Sequence, residues 1–419
     1  MTVRPLVALL LLGCSMRPAD LGTIPEDAVR VRDADVLAHL APARGDDLTV
    51  AELLRRRPGG FTVAPDPSAL IEATRERHAA LPVVADFVEL SVLTYNLGLL
   101  SRTYLGNLVE VPEIEARRSA VPEALFALGH DILLLQEVWE WEDARRIQRV
   151  GERHGYAVWA GTTRKHLQHG LVIAVKLEHI TGNTLLGEAQ YRAQRKLERW
   201  PGPNVKRGWL SMGFDLDGTD TQLTVVNTHG TSFPEYWRQR DLQARELGRA
   251  IAATPGVVVL GGDLNSGPYY HHETWTDGIG DPSPAWWDNA VSWGLWQHYG
   301  GMIDVLAAAG GADDVALGST IPDRWQRYLD APYGDEGWCE ANRGRVFTGT
   351  DCNRLYFEQY AGTEPPARLD HVLLRDPERR VRVVGAGLTL TERHALGAAG
   401  GAVELSDHYG VRATLRVAR

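Results

Sequence analysis

Six short polar motifs, each at one end of an apolar β-like run, mark where this sequence can do chemistry. They are the Asn of TYN (Asn96), the Glu after LLLQ (Glu137), the His of VVNTHG (His229), the Asp and Asn of VVLGGDLN (Asp263 and Asn265), the Asp of RLDHV (Asp370) and the Asp-His of LSDHY (Asp407 and His408). An apolar run buries as a strand and leaves its terminal polar residue at the rim of the sheet. Six such runs sharing a rim gather carboxylates, amides and imidazoles in one place. Carboxylate and amide oxygens suit a hard divalent cation: Mg²⁺ first, with Mn²⁺ or another divalent ion in its place. With two imidazoles alongside, the set suits hydrolysis of a phosphate ester, which needs charge stabilisation at phosphorus and a base for water.

Glu137 follows a fully apolar strand, so it is the natural cation ligand, with the Asn96 amide oxygen and Asp407 completing the set. In GGDLN the two glycines allow close backbone approach. Residues two apart face the same side of an extended chain, which would aim Asp263 and Asn265 at one phosphate oxygen or one water; a tight Asx turn is the competing reading. His229 and His408 supply the imidazoles, and Asp370 would fix the tautomer of His408.

The elements that must position these residues follow from the same runs. Strands are expected into Asn96 and over 131–136, 171–176, 223–228, 257–262, 371–375 and 411–417, with helices over 113–128 and 236–253. Mixed strand and helix signals without strict repetition, several strands alternating apolar with polar, predict two stacked sheets with helices outside. Residues 15–86, rich in charge and proline, read as a tether with helices at 49–57 and 67–80. The stretch at about 269–366 breaks the rhythm. It carries Trp275, Trp286, Trp287, Trp293, Trp296, Trp325 and Trp338, as an aromatic surface for lipid or sugar or as the insert's own small core.

At 419 residues the chain can build one large two-sheet domain or two domains, and its net charge of −10 disfavours a broad basic grip on nucleic acid. Residues 1–14 run from Arg4 through an apolar stretch to LLGC. The stretch is too short to span a bilayer and reads as a lipoprotein signal in which Cys14 is lipidated, placing the protein on the exported face of a bacterial envelope membrane. Export would let the remaining cysteines, Cys339 and Cys352, pair.

Taken together, the six motifs in this order resemble the endonuclease/exonuclease/phosphatase superfamily, which includes deoxyribonuclease I, abasic-site endonucleases, inositol polyphosphate 5-phosphatases and neutral sphingomyelinases. The resemblance covers residues 87–419, leaving out the Trp-rich insert. It implies the four-layer α/β sandwich of deoxyribonuclease I, two packed mixed sheets flanked by helices. It also implies Glu137 as main metal ligand with Asn96 and Asp407 nearby, His229 on the phosphate, Asp263 and Asn265 on water and phosphate, and His408 as general base or acid supported by Asp370. NTHG, GGDLN, the LDHVLL start and SDHYGVRATL are most similar to bacterial sphingomyelinases. Those enzymes place a Lys-Gly pair before the strand preceding the His motif; here NVKRGWL offers Lys206 or Arg207. The expected activity is therefore phospholipid head-group hydrolysis. An exported nuclease, a phosphatase of small or inositol phosphates, and a non-catalytic binding scaffold are the alternatives.

Overall fold

A computed structural model describes residues 74–76, 78–81, 85–99, 111–161, 169–191, 207–232, 237–267, 284–309, 353–355, 368–396 and 402–419. Cys14, Lys206, Trp275, Trp325, Trp338, Cys339, Cys352 and the helix expected over 49–57 lie outside the described residues.

In chain order the main elements are β1 (Phe87–Asn96), α1 (Ile114–Ala127), β2 (Ile132–Gln136), α2 (Trp141–Arg153), β3 (Tyr156–Trp159), β4 (Val172–Lys176), β5 (Ile180–Gln190), β6 (Gly208–Leu216), β7 (Gln222–His229), α3 (Trp237–Ala253) and β8 (Val257–Asp263). There follow α4 (Pro284–Gly300), β9 (Ile303–Asp304), α5 (Val305–Ala308), β10 (Asp370–Arg375), β11 (Val381–Thr389), the hairpin β12 (His394–Ala395) and β13 (Ala402–Val403), and β14 (Gly410–Ala418). One six-stranded sheet has the order β11-β14-β1-β2-β4-β3, the other β5-β6-β7-β8-β10-β9. At the centre of each lies one parallel pair, β1 with β2 and β7 with β8, joined across α1 and α3; the other pairings are antiparallel.

Side-chain alternation sorts each strand onto two cores. Leu90 and Val92 of β1, Ile132 and Leu134 of β2, Val225 of β7, Val257 and Val259 of β8 and Val372 and Leu374 of β10 fill the space between the sheets. Leu93, Tyr95, Leu133 and Leu135 face the opposite way, onto Val121 and Leu125 of α1 and Ile147 and Val150 of α2. Likewise Val226, Val258, Leu260 and Leu373 meet Leu247 and Ile251 of α3 and Trp296 of α4. The result is helix, sheet, sheet, helix: the four-layer α/β sandwich expected from the sequence.

The Trp-rich stretch departs from expectation over its described part. Residues 284–308 are not a separate insert, because α4 packs on α3, β9 pairs with β10, and Trp293 and Trp296 are fully buried. These rings cover the outer face of the second sheet, so they are neither an exposed surface nor a core of their own. Trp286 and Trp287 fall in the first turns of α4, and their side chains lie outside the described residues.

Continuing the alternation explains where the polar residues sit. Asn96 is in phase with Leu90 and Val92, Gln136 with Ile132 and Leu134, His229 with Val225, Asp263 with Val257 and Val259, and Asp370 with Val372 and Leu374. All five therefore project into the seam between the sheets at one rim. Close sheet approach there depends on Gly261: a Cβ at this position would run into the Leu134 side chain and come 3.1 Å from the Thr94 Cβ, across the seam. Gly261→Val should destabilise the fold by about 1–3 kcal/mol through overpacking, measured as a lower chemical-denaturation midpoint; an unchanged midpoint would mean that the sheets part there freely.

Candidate active site

The carboxyl ends of both parallel pairs open onto this rim, as do the starts of the antiparallel strands β10 and β14, the usual place for a ligand crevice in such sheets. Asp370 is the register partner of Asp263, and His229 lies beside Asp263. Asp407 and His408 precede β14, whose Val411 pairs with Thr94 of β1.

Asp263 is the junction of the site. One carboxylate oxygen, Oδ2, accepts from Asn96 Nδ2 at 2.9 Å and meets His229 Nε2 at 3.2 Å, with His408 Nε2 at 4.0 Å. The other, Oδ1, accepts from the Asn265 backbone N–H at 2.9 Å. His408 Nδ1 is 2.7 Å from Asp370 Oδ2, as the tautomer argument requires. Asp407 Oδ1 lies 3.1 Å from Ser406 Oγ, and a Cβ at Gly98 would run into that carboxylate. Asn96, His229, Asp263, Asp370, Asp407 and His408 are all buried.

Glu137 stands out of phase. Strand alternation would send it toward the helices with Leu133 and Leu135, but its backbone is left-handed, φ 58°. That turn brings Oε1 to 3.4 Å from Asn96 Nδ2. Non-glycine residues adopt this conformation at a cost of about 1–3 kcal/mol, and such strain concentrates at functional positions.

Two expectations are corrected in detail. The Asn96 amide oxygen, expected on a cation, accepts from Gly98 N at 3.0 Å, while Nδ2 faces Asp263 and Glu137. It acts as a clamp on two carboxylates, because a strand-end amide in a carboxylate cluster presents its donor. Asp263 and Asn265 do not share one face of an extended chain. The strand stops at Asp263, an Asx turn follows, and Asn265 (φ 48°) donates its Nδ2 to Gly230 O at 3.2 Å. Of the two basic candidates Arg207 is described: buried, 2.7 Å from Ser232 Oγ through Nη2, with its guanidinium 5.8 Å from the Trp139 ring.

The charges are unevenly held. Burial raises the Glu137 carboxyl to about 7, Asp407 adds to the effect, and Arg207 and His408 oppose it. Burial would also raise Asp263, but His229, His408 and the Asn265 N–H outweigh it and keep this carboxyl well below the usual range. His229 is pushed down to about 4, by burial and then by Arg207, against the pull of Asp263; at neutral pH its imidazole is uncharged. His408 goes the other way: burial lowers its proton affinity, yet Asp370, Asp263 and Asp407 together lift it well above the ordinary histidine value.

Asp263, Asp370 and His408 offer ligand atoms within 4.8 Å of one another. The oxygens facing these imidazoles already serve hydrogen bonds. Glu137, partly buried and raised by the Asp407 carboxylate, holds its proton to unusual pH, a state that a positive ion relieves.

Motif reading missed the supports. Arg117 takes a core position on the buried stripe of α1, between Ile114 and Val121. Asp304 gathers Trp293 Nε1 at 3.1 Å, Arg368 Nη2 at 3.1 Å and His371 Nδ1 at 2.9 Å, and His371 Nε2 in turn meets the carbonyls of Ser266 and Arg368. This buried knot ties the turn after Asp263 to the start of β10. A charged residue on an apolar stripe was the only sequence signal for either.

The model of the family described as Endonuclease/Exonuclease/phosphatase family matches residues 93–408. No curated protein matches the sequence significantly. Similar solved structures include D. rerio TDP2 complexed with single strand DNA product (16% identity, 78% of this chain and 98% of that chain, TM-score 0.48). ANGEL2, a 2′,3′-cyclic phosphatase, in complex with adenosine-2′,3′-vanadate is similar at 16% identity, 80% and 97% coverage and a TM-score of 0.48. An endonuclease/exonuclease/phosphatase family protein from Bacteroides thetaiotaomicron follows at 15%, 80% and 100%, with a TM-score of 0.46.

The Glu137 shift gives a signed prediction. Its folded acid constant, about 7, exceeds the ordinary 4.5, so the unfolded chain releases this proton first and the metal-free protein loses stability as pH rises across that window. Glu137→Gln should flatten this loss in pH-dependent denaturation. A divalent cation must displace the same proton, so Mg²⁺ affinity in calorimetric titrations should climb about tenfold per pH unit up to neutrality and then level. Affinity independent of pH between 5.5 and 8 would remove Glu137 from the cation site.

Proposed function

Because the chain belongs to the endonuclease/exonuclease/phosphatase family across residues 93–408, we propose that it is a metal-dependent phosphodiesterase acting on phospholipid head groups of the sphingomyelin class. The observation that carries the catalytic part of this reading is one continuous line of contacts. Asp370 holds His408, His408 faces Asp263, Asp263 holds His229 and Asn96, and Asn96 reaches Glu137.

Glu137 and Asp407 are the residues that would hold the cation. A bound Mg²⁺ supplies Lewis acidity and neutralises charge on the phosphoryl oxygens. His229 gives its one N–H to Asp263 and so holds that carboxylate in place; it would donate to a non-bridging phosphate oxygen as well only in the imidazolium form that a bound phosphate favours, with the Arg207 charge acting on the same imidazole. Asp263 and Asn265 orient the water for in-line attack. As its oxygen bonds to phosphorus and its proton passes to the Asp263 carboxylate, the bond to the leaving oxygen breaks and that oxygen takes a proton from His408, giving a phosphomonoester and an alcohol. Asp370 keeps the proton on Nδ1 of His408, so Nε2 is the atom that exchanges protons with the reaction. The high proton affinity of this imidazole suits donation to the leaving oxygen.

Three features support a lipid substrate: the sphingomyelinase-like motifs, the acidic balance of the chain and the lipoprotein-like first 14 residues. Among the described residues no helix is long and apolar enough to cross a membrane. The anchor in this reading is lipid on Cys14, residues 15–86 form a tether, and Cys339 pairs with Cys352 after export.

A panel of sphingomyelin and phosphatidylcholine vesicles, plasmid DNA, a 2′,3′-cyclic nucleotide and a soluble aryl phosphodiester, each with Mg²⁺ or EDTA, tests the proposal. Vesicle hydrolysis should dominate, vanish with EDTA and fall by orders of magnitude in Glu137→Ala; Cys14→Ser should move activity out of the membrane fraction. Preferential DNA nicking or cyclic-nucleotide hydrolysis would overturn the lipid reading. EDTA-resistant turnover would overturn the cation.

The His408–Asp370 contact yields a second test. Residues working as a unit lose activity non-additively. His408→Ala and Asp370→Asn should each slow turnover, and the double variant should be little slower than His408→Ala; multiplicative losses would separate the two residues.

A further inference from the structure

The guanidinium of Arg117 is completely buried, and each of its five N–H donors finds a main-chain carbonyl. Nη1 donates to Leu97 O at 2.9 Å and Leu405 O at 3.2 Å. Nη2 donates to Gly98 O at 2.7 Å and Val111 O at 3.4 Å, and Nε to Pro112 O at 3.0 Å. The acceptors belong to three remote stretches of chain. Leu97 and Gly98 directly follow Asn96, Leu405 lies two residues before Asp407, and Val111 and Pro112 lead into α1.

A second clamp acts on the same loop. Asn353, fully buried, donates Nδ2 to Ser406 O at 2.7 Å and accepts Leu355 N–H at 2.9 Å. Ser406 Oγ closes the circuit by donating to Asn96 O at 2.6 Å and accepting His408 N–H at 3.2 Å. Successive carbonyls, Leu405 and Ser406, are thus held by Arg117 and Asn353, immediately before the two side chains that matter.

We propose that Arg117 and Asn353 are positioning residues that fix the Asp407 carboxylate and His408 imidazole against Asn96 and Glu137. The proposal rests on the cation reading of Glu137 and Asp407. Arg117 acts by geometry: a planar fork reaches five diverging carbonyls, whereas a lysine ammonium carries the same charge on one nitrogen with three donors. Its charge is felt by Asp407 and Glu137, so the lysine variant holds the electrostatics while removing the fork.

The experiment compares the full-length wild type with Arg117→Lys, Asn353→Ala and the control Arg375→Lys. Arg375 also clamps main-chain carbonyls, those of Ala252, Thr254 and Gly256, but at the far end of β10. Mn²⁺ binding is read by calorimetry, folding by thermal denaturation, and kcat and KM on a soluble phosphodiester. Arg117→Lys and Asn353→Ala should raise the Mn²⁺ dissociation constant about tenfold and lower kcat with KM little changed, while Arg375→Lys lowers stability alone. Folded Arg117→Lys with wild-type Mn²⁺ affinity and kcat would overturn the proposal. If Arg117→Lys does not fold, Asn353→Ala decides on the same readings. Equal losses in Arg375→Lys would reduce both residues to general stabilisers, and a wild type that binds no Mn²⁺ would overturn the cation reading instead.

Discussion

Gln136 and Asn227 join hands across the seam between the sheets: Gln136 Nε2 donates to Asn227 Oδ1 at 2.7 Å, and Asn227 Nδ2 donates to the carbonyls of Leu135 and Val172 at 2.8 and 2.9 Å. Gln136 also reaches Thr94 Oγ1 at 3.1 Å. This polar contact runs from Gln136 at the rim, the register partner of Asn96, to Asn227 one step inside it, where the apolar filling between the sheets ends. Buried amides are tolerated only when paired, so the pairing fixes how far apart β2 and β7 stand. Asn96 lies beside Gln136 in the first sheet and His229 follows Asn227 by two residues in the second, so the site inherits that spacing.

Above this floor, burial makes the charges interdependent. A buried carboxylate stripped of its partners would be strongly disfavoured, and Asp263 stays ionised because imidazoles and N–H groups surround it. His408 stays protonated because three carboxylates outweigh its burial. Glu137, in contrast, has its proton affinity raised by burial and by the Asp407 carboxylate beyond what Arg207 and His408 offset. A site that stabilises two of its charges and leaves a third wanting a positive ion is prepared for one.

The supports show how a single fold keeps the site rigid without appearing in it. Asp304 lies on a strand of two residues, yet through His371 and Arg368 it ties down both the turn after Asp263 and the approach to Asp370. It comes from the stretch whose tryptophans suggested an independent module. Density of Trp, Gly and Pro is a compositional signal, and it carries no information on which sheet the rings will cover. Trp293 hydrogen-bonds Asp304, so its ring is part of the site's foundation.

Strand ends and their polar residues were legible because burial imposes a period of two, and a run such as ILLLQ can satisfy it only as an internal strand with Gln136 at the rim. From those runs the sequence by itself determined the two stacked sheets, the shared rim, and the partnership of His408 with Asp370. Three things were left to the tertiary structure. The left-handed backbone at Glu137 reverses its side chain against the strand's phase, the amide of Asn96 turns its donor rather than its oxygen to the carboxylates, and Arg117 serves carbonyls up to 288 residues away. Each depends on which groups meet across the seam, and periodicity along one strand reports only the face a side chain leaves from, never what it finds there.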